Sequence, residues 1–382
     1  MEAQPLYDLA PALRLALLGI AVAAGPLAWV WLRNRQAAPA QRLAALTVLT
    51  LFLTFDLVLF GAFTRLTDSG LGCPDWPGCY GNASPVGAIH EIRAEEARMP
   101  AGPVTHGKAW VEMIHRYLAT GVGVLITTLA AATWLQRKRG LPVSPLWPAL
   151  TLVWVCVQGA FGALTVTMKL FPAIVTMHLL GGMVLLALLT VQAVAYRRAQ
   201  RGSGALQVSA SARGWLVAAC ALLWLQVALG GWVSTNYAVL ACSEFPACQG
   251  QWWPPMDFRQ GFELWRELGK TGAGEHVTFA ALTAIHYAHR LSAYVLFVLL
   301  GIVAWRLWNT PLRVSARVIA GLAAWQFASG LSNVVLGWPL LAAVAHTGGA
   351  AALVVTLTWA LRESRAASPV GAQSIAAREV SA

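Results

Sequence analysis

Nine apolar segments constrain the fold of this chain more than any other feature of its sequence. Each has the length of about 20 residues that a helix needs to cross a bilayer. They cover residues 11–32, 43–66, 114–135, 147–168, 172–195, 214–235, 281–305, 316–336 and 339–361. Of the 382 residues, 58% are hydrophobic and 11% are charged, whereas soluble domains have about a quarter charged residues. The sequence therefore predicts an all-α polytopic membrane protein.

The distribution of basic residues predicts the orientation of the chain. Sixteen of the 27 Lys and Arg residues, but two of the 16 acids, fall after helices one, three, five and seven or in the C-terminal tail, which gives this side +14. Basic residues favour the cytoplasmic side, so in a cell (inner) membrane we expect the N-terminus outside and the C-terminus in the cytoplasm. Glu2 and Asp8, with no basic residue before Arg14, favour a first spanning helix over a cleaved signal peptide. No basic cluster lies on a soluble domain, so the partner is the lipid bilayer and no nucleic acid is expected.

Two long loops, at about 67–113 and 236–280, are predicted on the outer side and carry one motif. It reads Cys73-Pro-Asp-Trp-Pro-Gly-Cys79 in the first loop and, 169 positions later, Cys242-Ser-Glu-Phe-Pro-Ala-Cys248 in the second. In an oxidising compartment each pair of cysteines can close a disulfide. Such a bond would serve either as a structural staple or as a redox-sensitive lid, and both roles stay open at this point.

A stretch of helix-period apolar residues follows each cysteine pair. The residues are Ile89, Ile92 and Met99 in the first loop and Phe262, Trp265 and Leu268 in the second. The pattern predicts a short helix on the outer surface in each loop.

The spanning helices also repeat. His115-Arg116 is matched by His289-Arg290, and the pairs Gln158/Gln326 and His178/His346 are each 168 positions apart. Helices two to five and six to nine are therefore expected to form two pseudo-symmetric four-helix bundles, related by an axis along the membrane normal. The expected units are 1–40 (an extra helix and linker), 41–200 (first half), 201–365 (second half) and 366–382 (a cytoplasmic tail).

Four histidines within spanning segments predict two haem sites. Ionisable residues in a membrane indicate function, and imidazole is a common axial ligand of haem iron. The expected pairs are His115 with His178 and His289 with His346. Gly181, Gly182, Gly348 and Gly349 are expected to let a porphyrin approach the backbone. Zinc is the rival ligand, but the Cys or carboxylate spacing of a closed zinc site is missing from the sequence.

Several polar residues near these histidines have two interpretations. Arg116 and Arg290 can pair with haem propionates, or extend to lipid headgroups. Asp56 and Gln226 fall at matching points of helices two and six, and we expect them to form interhelical hydrogen bonds.

Glu112 and His286 mark a difference between the two copies. Each precedes a histidine of its copy by three residues and so shares its helix face. A carboxylate near a haem edge can transfer a proton or stabilise positive charge, which favours the Glu112 copy as the reactive one. The alternative is that Glu112 is an interfacial residue at the start of a helix.

Two motifs resemble the haem A synthase family. Residues 61–79 read Gly-Ala-Phe-Thr-Arg-Leu-Thr-Asp-Ser-Gly-Leu-Gly-Cys-Pro-Asp-Trp-Pro-Gly-Cys, and residues 112–117 read Glu-Met-Ile-His-Arg-Tyr. The resemblance covers about 43–362. It implies an eight-helix enzyme of two halves that oxidises a methyl group of haem O to the formyl group of haem A, by successive hydroxylations, for terminal oxidases. The extra helix 11–32 departs from this pattern.

The resemblance also implies roles for individual residues. His115 and His178 would hold the substrate haem, His289 and His346 would ligate a resident haem b, Glu112 would be catalytic, and Cys73 and Cys79 would form a disulfide. Haem O synthase and an unidentified electron donor would be partners. The main alternative is a dihaem b-type electron carrier that leaves both haems unchanged, because the histidine pairs alone are compatible with either function.

Overall fold

The computed structural model describes residues 10–366, and within that range the chain folds almost entirely into helices. The helices are α1 (Ala10–Arg33), α2 (Pro39–Leu66), α3 (Ile89–Arg98), α4 (His106–Leu135), α5 (Leu146–Thr167), α6 (Pro172–Arg201), α7 (Ala210–Thr235), α8 (Phe258–Gly261), α9 (Phe279–Leu307), α10 (Arg313–Val335) and α11 (Leu340–Glu363). Two short strands, β1 (Leu206–Val208) and β2 (Ser364–Ala366), pair in parallel.

All nine predicted spanning helices are confirmed over the described range, since all the helices except α3 and α8 are long and apolar enough to cross a membrane. Their ends follow local chemistry. The α4 helix begins at His106, eight residues before its predicted start, because the Thr105 hydroxyl accepts a hydrogen bond from the Lys108 amide at 3.3 Å and caps the first turn. The α6 helix continues to Arg201 and ends where Gly202 adopts a φ of 62°, a left-handed cap that glycine favours. The chain is therefore a multi-pass membrane protein.

The spanning helices form two four-helix bundles with the same arrangement. In the first, α2 and α5 each pack against both α4 and α6, and in the second, α7 and α10 each pack against both α9 and α11. The helices α4 and α6 therefore lie diagonally across the first bundle, as α9 and α11 do across the second. This arrangement confirms the predicted pair of four-helix units.

The two bundles meet along α2, α6, α7 and α11. The α6–α7 contact in this seam is matched by the α2–α11 contact, which confirms the pseudo-two-fold relation. At the end of the seam nearest the Cys loops, Arg65 donates to the carbonyl oxygen of Ser234 at 2.7 Å. The Tyr237 hydroxyl donates to Asp68 Oδ1 at 2.6 Å. Both bonds join residues 169 positions apart, so equivalent positions of the two halves meet at the axis.

The extra helix α1 packs mainly against α4. Glycine makes this contact close: a methyl group at Gly19 would lie 2.3 Å from Thr120 Cγ2, and one at Gly121 would lie 2.9 Å from Val22 Cγ1. Small residues of this kind let membrane helices approach each other. The α1 helix therefore supports the first half alone, at the helix that carries His115.

The two outer loops differ in one respect from the sequence-based expectation. The helix predicted in the first loop is confirmed as α3, with Ile92 fully buried. The helix predicted around Phe262, Trp265 and Leu268 is wrong, because the loop forms only the four-residue turn α8 there. Residues 269–277 fold back on themselves instead, with Val277 N donating to Gly269 O at 3.1 Å. Trp265 packs its ring 4.7 Å from that of Phe171, which ties the loop to the first half.

The face opposite these loops is closed by a contact between the halves. The buried Glu363, at the end of α11, lies 3.6 Å from Arg198 Nε of α6. Beside it, strand β1, which follows α6, pairs with β2, and Glu363 accepts a hydrogen bond from Arg201 at 2.7 Å. Apart from Ala366, the predicted tail 366–382 lies outside the described residues.

Candidate functional site

Each of the four predicted histidines packs its ring against a glycine of a neighbouring helix. In the first half, an added methyl group would lie 3.1 Å from His115 Cε1 at Gly61 and 3.5 Å from His178 Cε1 at Gly162. In the second half, it would lie 3.0 Å from His289 Cε1 at Gly230 and 3.2 Å from His346 Cε1 at Gly330. Three of these distances are shorter than ordinary side-chain contacts, so an alanine at Gly61, Gly230 or Gly330 would require the ring to shift by a few tenths of an ångström.

Sequence analysis missed these four glycines, although their spacing offered a signal. Gly61 and Gly230 are 169 positions apart and Gly162 and Gly330 are 168 apart, which are the offsets of the repeat itself. The signal was weak because glycine is frequent in membrane helices and the contact depends on how each helix is rotated.

The glycines that the sequence favoured have different neighbours. A methyl group at Gly181 would lie 1.8 Å from Nε2 of Gln158, and one at Gly349 would lie 3.1 Å from Oε1 of Gln326. Gly181 therefore makes room for Gln158, and Gly349 makes room first for Trp325, whose Cδ1 atom would lie 2.7 Å from the added methyl group. The expectation that a porphyrin approaches the backbone at these glycines stays a prediction.

The histidines of the second half are hydrogen-bonded. The amide nitrogen of Gln226 lies 3.0 Å from His289 Nδ1, and the Ser329 hydroxyl lies 2.9 Å from His346 Nδ1. Gln226 thus makes the interhelical hydrogen bond that was predicted for it. Its predicted match with Asp56 is wrong by one position, because an offset of 169 places Leu57 opposite Gln226.

The histidines of the first half are held differently. The Nδ1 atoms of His115 and His178 are buried and have no hydrogen-bond partner within residues 10–366. The positions that correspond to Gln226 and Ser329 are Leu57 and Phe161, whose side chains cannot hydrogen-bond an imidazole. Each copy therefore presents a pair of histidine rings, with free Nδ1 atoms in the first half and hydrogen-bonded Nδ1 atoms in the second.

Glu112 fastens α4 to the first Cys loop. Its Oε1 accepts a hydrogen bond from Arg116 Nη2 at 2.5 Å, and its Oε2 accepts one from the Cys73 amide at 2.8 Å. Because Glu112 is 4% exposed and α4 begins at His106, the alternative of a helix-start residue at the interface is wrong. The carboxylate lies one helical turn from His115, between the helix and the loop.

His286 occupies the corresponding place in the second half. It is buried, and its Nδ1 lies 3.0 Å from the carbonyl oxygen of Ala238, in the short 3₁₀ turn that leads into Cys242. Both copies therefore fasten the histidine helix to the outer loop, with a carboxylate in one and an imidazole in the other.

Arg116 and Arg290 hold the two Cys loops by the same pattern of hydrogen bonds. Arg116 donates to the carbonyl oxygens of Asp75, Pro77 and Gly78, and Arg290 donates to those of Glu244, Pro246 and Ala247. The two arginines are 8% and 7% exposed, so the alternative that they extend to lipid headgroups is wrong. Pairing with propionates stays a prediction.

Both cysteine pairs form disulfides, with Cα–Cα distances of 4.9 Å for Cys73–Cys79 and 4.8 Å for Cys242–Cys248. All four cysteines are fully buried, which favours the structural staple over a lid that reagents can reach. The acid within each motif completes the fold of the loop. Asp75 accepts hydrogen bonds from the amides of Tyr80 and Gly81, and Glu244 accepts one from that of Gly250.

These residues fit a haem-type ligand on the evidence of their own contacts. In the first half, the two histidines lie on helices at opposite corners of the bundle, and their buried Nδ1 atoms have no hydrogen-bond partner within residues 10–366; in the second half hydrogen bonds fix both rings. Imidazole is an axial ligand of haem iron, and a hydrogen bond at the other ring nitrogen orients such a ligand. The fold and the site together define a class: helical membrane proteins with two repeated four-helix units and a histidine pair in each.

Comparison with known proteins gives the family within that class. The family model described as cytochrome oxidase assembly protein matches residues 44–358. A haem A synthase from Shewanella oneidensis is 38% identical over 81% of this chain and 92% of its own length. Those of Halalkalibacterium halodurans and a Caulobacter species are 25% and 28% identical over 79% and 81% of this chain, and 90% and 93% of their own. The chain belongs to the haem A synthase family.

Proposed function

We propose that this protein is an oxidoreductase that converts haem O to haem A by oxidising a methyl group on the porphyrin to a formyl group. The product would serve haem-copper terminal oxidases. Membership of the haem A synthase family supports the reaction. The observation that carries it in this molecule is the buried Glu112 carboxylate beside a histidine whose second ring nitrogen is free, because the second half has no carboxylate at that place.

The first half, 41–200, is proposed as the substrate side. A substrate haem must enter and leave, so its ligands should bind iron without being locked in one orientation. His115 and His178 meet this requirement, since their Nδ1 atoms have no partner in the part of the chain that the structure describes. Their rings are positioned only by packing, including the contacts with Gly61 and Gly162.

The second half, 201–365, is proposed to hold a resident haem b between His289 and His346. The Ser329 hydroxyl can accept a hydrogen bond from the Nδ1–H group of His346, which leaves Nε2 for iron. The side-chain amide of Gln226 has an acceptor oxygen as well as a donor nitrogen. Its oxygen can therefore accept a hydrogen bond from the Nδ1–H group of His289 in the same way. When bound, this haem would supply one-electron redox chemistry. The protein would contribute rigid imidazoles that fix its position.

The part proposed for Glu112 is to hold a proton or stabilise positive charge at the edge of the substrate. Its two oxygens are shared between Arg116 and the Cys73 amide, so the carboxylate is fixed in place, and water is excluded by the loop above it. Arg116 and Arg290 position the two loops through backbone carbonyls. Any contact with a propionate would be an addition to that role.

The remaining parts of the proposal concern the surroundings of the protein. The excess of basic residues on the face opposite the Cys loops supports an N-terminus outside and a C-terminus in the cytoplasm. Haem O synthase is proposed as the source of substrate, since haem O is a poorly soluble product that must be passed on within the membrane. A separate electron-transfer partner is proposed to exchange electrons with the resident haem.

Co-expression with a haem O synthase tests the proposed function. Pigments extracted from membranes with the unaltered chain should contain haem A by mass analysis. The variant Glu112→Gln keeps the size of the side chain and an acceptor for Arg116, and should lower haem A by about 100-fold or more, the usual contribution of a proton-transferring group. His286→Gln, at the corresponding place in the other half, is the matched control and should keep most of the product.

Two results would count against the proposal. A folded, haem-loaded protein that yields neither haem A nor a hydroxylated intermediate would favour the dihaem electron carrier. An unchanged yield of haem A from Glu112→Gln would contradict the role of that carboxylate and leave the enzyme assignment intact.

A further inference from the structure

A basic cavity lies where three spanning helices end, on the face opposite the Cys loops. Its volume is about 430 Å³, and Arg198, Ala199, Arg362 and Pro142 are among its lining residues. The helices α6 and α11 end beside it, and α5 begins four residues after Pro142. Because spanning helices end where the hydrocarbon core gives way to headgroups, the cavity lies at the depth of lipid headgroups.

The charge around this cavity is positive and only partly neutralised. Glu363 is the one acid on this face within residues 10–366. It accepts a hydrogen bond from Arg201 at 2.7 Å and lies 3.6 Å from Arg198 Nε. Arg197 and Arg362 add two further charges that have no acidic partner in the described part of the chain. An anion in the cavity would therefore be attracted by more than one guanidinium group.

Aromatic residues mark the same level. The Arg362 guanidinium lies 6.0 Å from the ring centre of Trp147, and that of Arg197 lies 5.1 Å from the ring centre of Trp359. Tryptophan is enriched at the boundary between headgroups and hydrocarbon. The wall of the cavity also includes apolar surface from Ala195 and Ala199, next to the charged groups.

We propose that this cavity binds the phosphate of an anionic membrane lipid. Guanidinium groups match phosphate oxygens in geometry and form charge-assisted hydrogen bonds with them. Basic pockets between spanning helices are suited to anionic headgroups. The adjacent apolar wall would contact the glycerol and the start of the acyl chains, which a free phosphate ion does not possess.

The location gives the lipid a structural consequence. Arg198 belongs to α6 of the first half and also donates to the carbonyl oxygen of Arg362, at the end of α11 in the second half. Arg213, at the start of α7, donates to the carbonyl oxygen of Leu361 at 3.0 Å. A lipid bound at Arg198 and Arg362 would therefore bridge the two halves at the end opposite the Arg65–Ser234 contact.

Native mass spectrometry of the full-length protein tests this site. The probes are dioleoylphosphatidylglycerol, dioleoylphosphatidylcholine and inorganic phosphate, each added to delipidated protein in detergent. We expect phosphatidylglycerol to be retained at least about fivefold more than phosphatidylcholine, and the variant Arg362→Gln to lower that retention about fivefold, in line with one arginine near an anionic headgroup. Arg198 is left unaltered because it also holds the end of α11.

Arg306→Gln is the matched control. Arg306 lies on the same face and over a tryptophan, 5.1 Å from the ring centre of Trp305, but it does not line the cavity. Its loss should change retention less than twofold. Equal losses of phosphatidylglycerol from Arg362→Gln and Arg306→Gln would show a general effect of positive charge on this face. Retention of phosphatidylcholine equal to that of phosphatidylglycerol would show that the site does not select lipids by their net charge. Displacement of the lipid by millimolar phosphate would show a site for the free ion. Each of these three results overturns the proposal.

Discussion

The two halves share a backbone plan and differ in how they hold their histidines. In the second half, Gln226 and Ser329 engage the ring nitrogens of His289 and His346. In the first half, Leu57 and Phe161 stand at the corresponding positions, and the ring nitrogens have no partner in the described chain. The comparison teaches that a duplicated site can be specialised at the residues that contact the histidines, while the histidines themselves stay the same.

A second difference lies one turn away on the same helices. Glu112 and His286 both tie their helix to an outer loop, but only the carboxylate brings a negative charge next to a histidine. Arg116, which accompanies it, is ion-paired with Glu112 at 2.5 Å, whereas Arg290 contacts loop carbonyls. The first half therefore combines histidine rings without hydrogen bonds at Nδ1 and the Glu112–Arg116 ion pair. This combination is expected of a site that binds a substrate and releases a product.

The largest expected effect comes from removing a ligand from each half. His346→Ala should lower the affinity for resident haem by more than about 100-fold, since even an outer partner of a ligand is worth about 10–100-fold. The protein purified without haem O synthase should then lose its haem absorbance. His178→Ala should keep that absorbance and lose haem A formation. If His178→Ala removed the resident haem and His346→Ala did not, the assignment of the two halves would be reversed.

Replacing the residues that contact the histidine Nδ1 atoms tests whether these hydrogen bonds distinguish the two halves. Gln226→Leu with Ser329→Ala makes the second half resemble the first, and should weaken resident haem about 10–100-fold because the imidazoles lose their orientation. Haem dissociation to apomyoglobin measures the change. Leu57→Ala with Phe161→Ala is the control for altered packing in the first half, and resident haem should be unaffected. Equal haem loss from both double variants would mean that the hydrogen bonds are not what distinguishes the halves.

The sequence predicted the elements that depend on composition and on spacing. The spans follow from hydropathy, and the repeat follows from matched pairs such as His178 and His346, because both are properties of the chain itself. The hydrogen-bond partners of the histidines are not properties of the chain itself, because they depend on how each helix is rotated in the bundle. A shift of one residue was enough to match Gln226 with Asp56 in place of Leu57.

The loops show the other limit of sequence reasoning. Apolar spacing around Trp265 indicated a helix, but Gly269 and Gly274 adopt φ values of 75° and 87°, which turn the chain back and end any helix there. Arg116 and Arg290 were placed near haem because they follow histidines. Their contacts with loop carbonyls depend on the tertiary position of a motif about 40 residues earlier in the chain, which local spacing does not report.

The glycines beside the rings should give a smaller effect that is again unequal between the halves. Gly230→Ala places a methyl group 3.0 Å from His289 Cε1, and the engaged ring cannot move without losing Gln226. We expect about 1 kcal/mol of destabilisation from overpacking, measured by thermal unfolding of the protein. Gly61→Ala, at 3.1 Å from His115, should cost less because the ring of His115 is free to shift. A larger effect for Gly61→Ala would contradict the view that first-half rings are unanchored.

The smallest expected effect concerns the outer contact on the axis between the halves. Burial is the main cause that raises the pKa of Tyr237, with the Asp68 hydrogen bond acting in the same direction and Arg65 opposing it. Because the folded pKa is raised, the neutral phenol stabilises the fold below pH 10, and this contribution is lost as the pH rises through the folded pKa. Tyr237→Phe should lower stability by about 0.5 kcal/mol and flatten the decline above pH 10 in thermal unfolding. Tyr80→Phe, in the first loop and away from the axis, removes another phenol whose pKa is raised, chiefly by burial, so it should also flatten part of the decline but keep the Asp68 contact. An unchanged decline in Tyr237→Phe would show that the alkaline loss of stability does not belong to the contact between the halves.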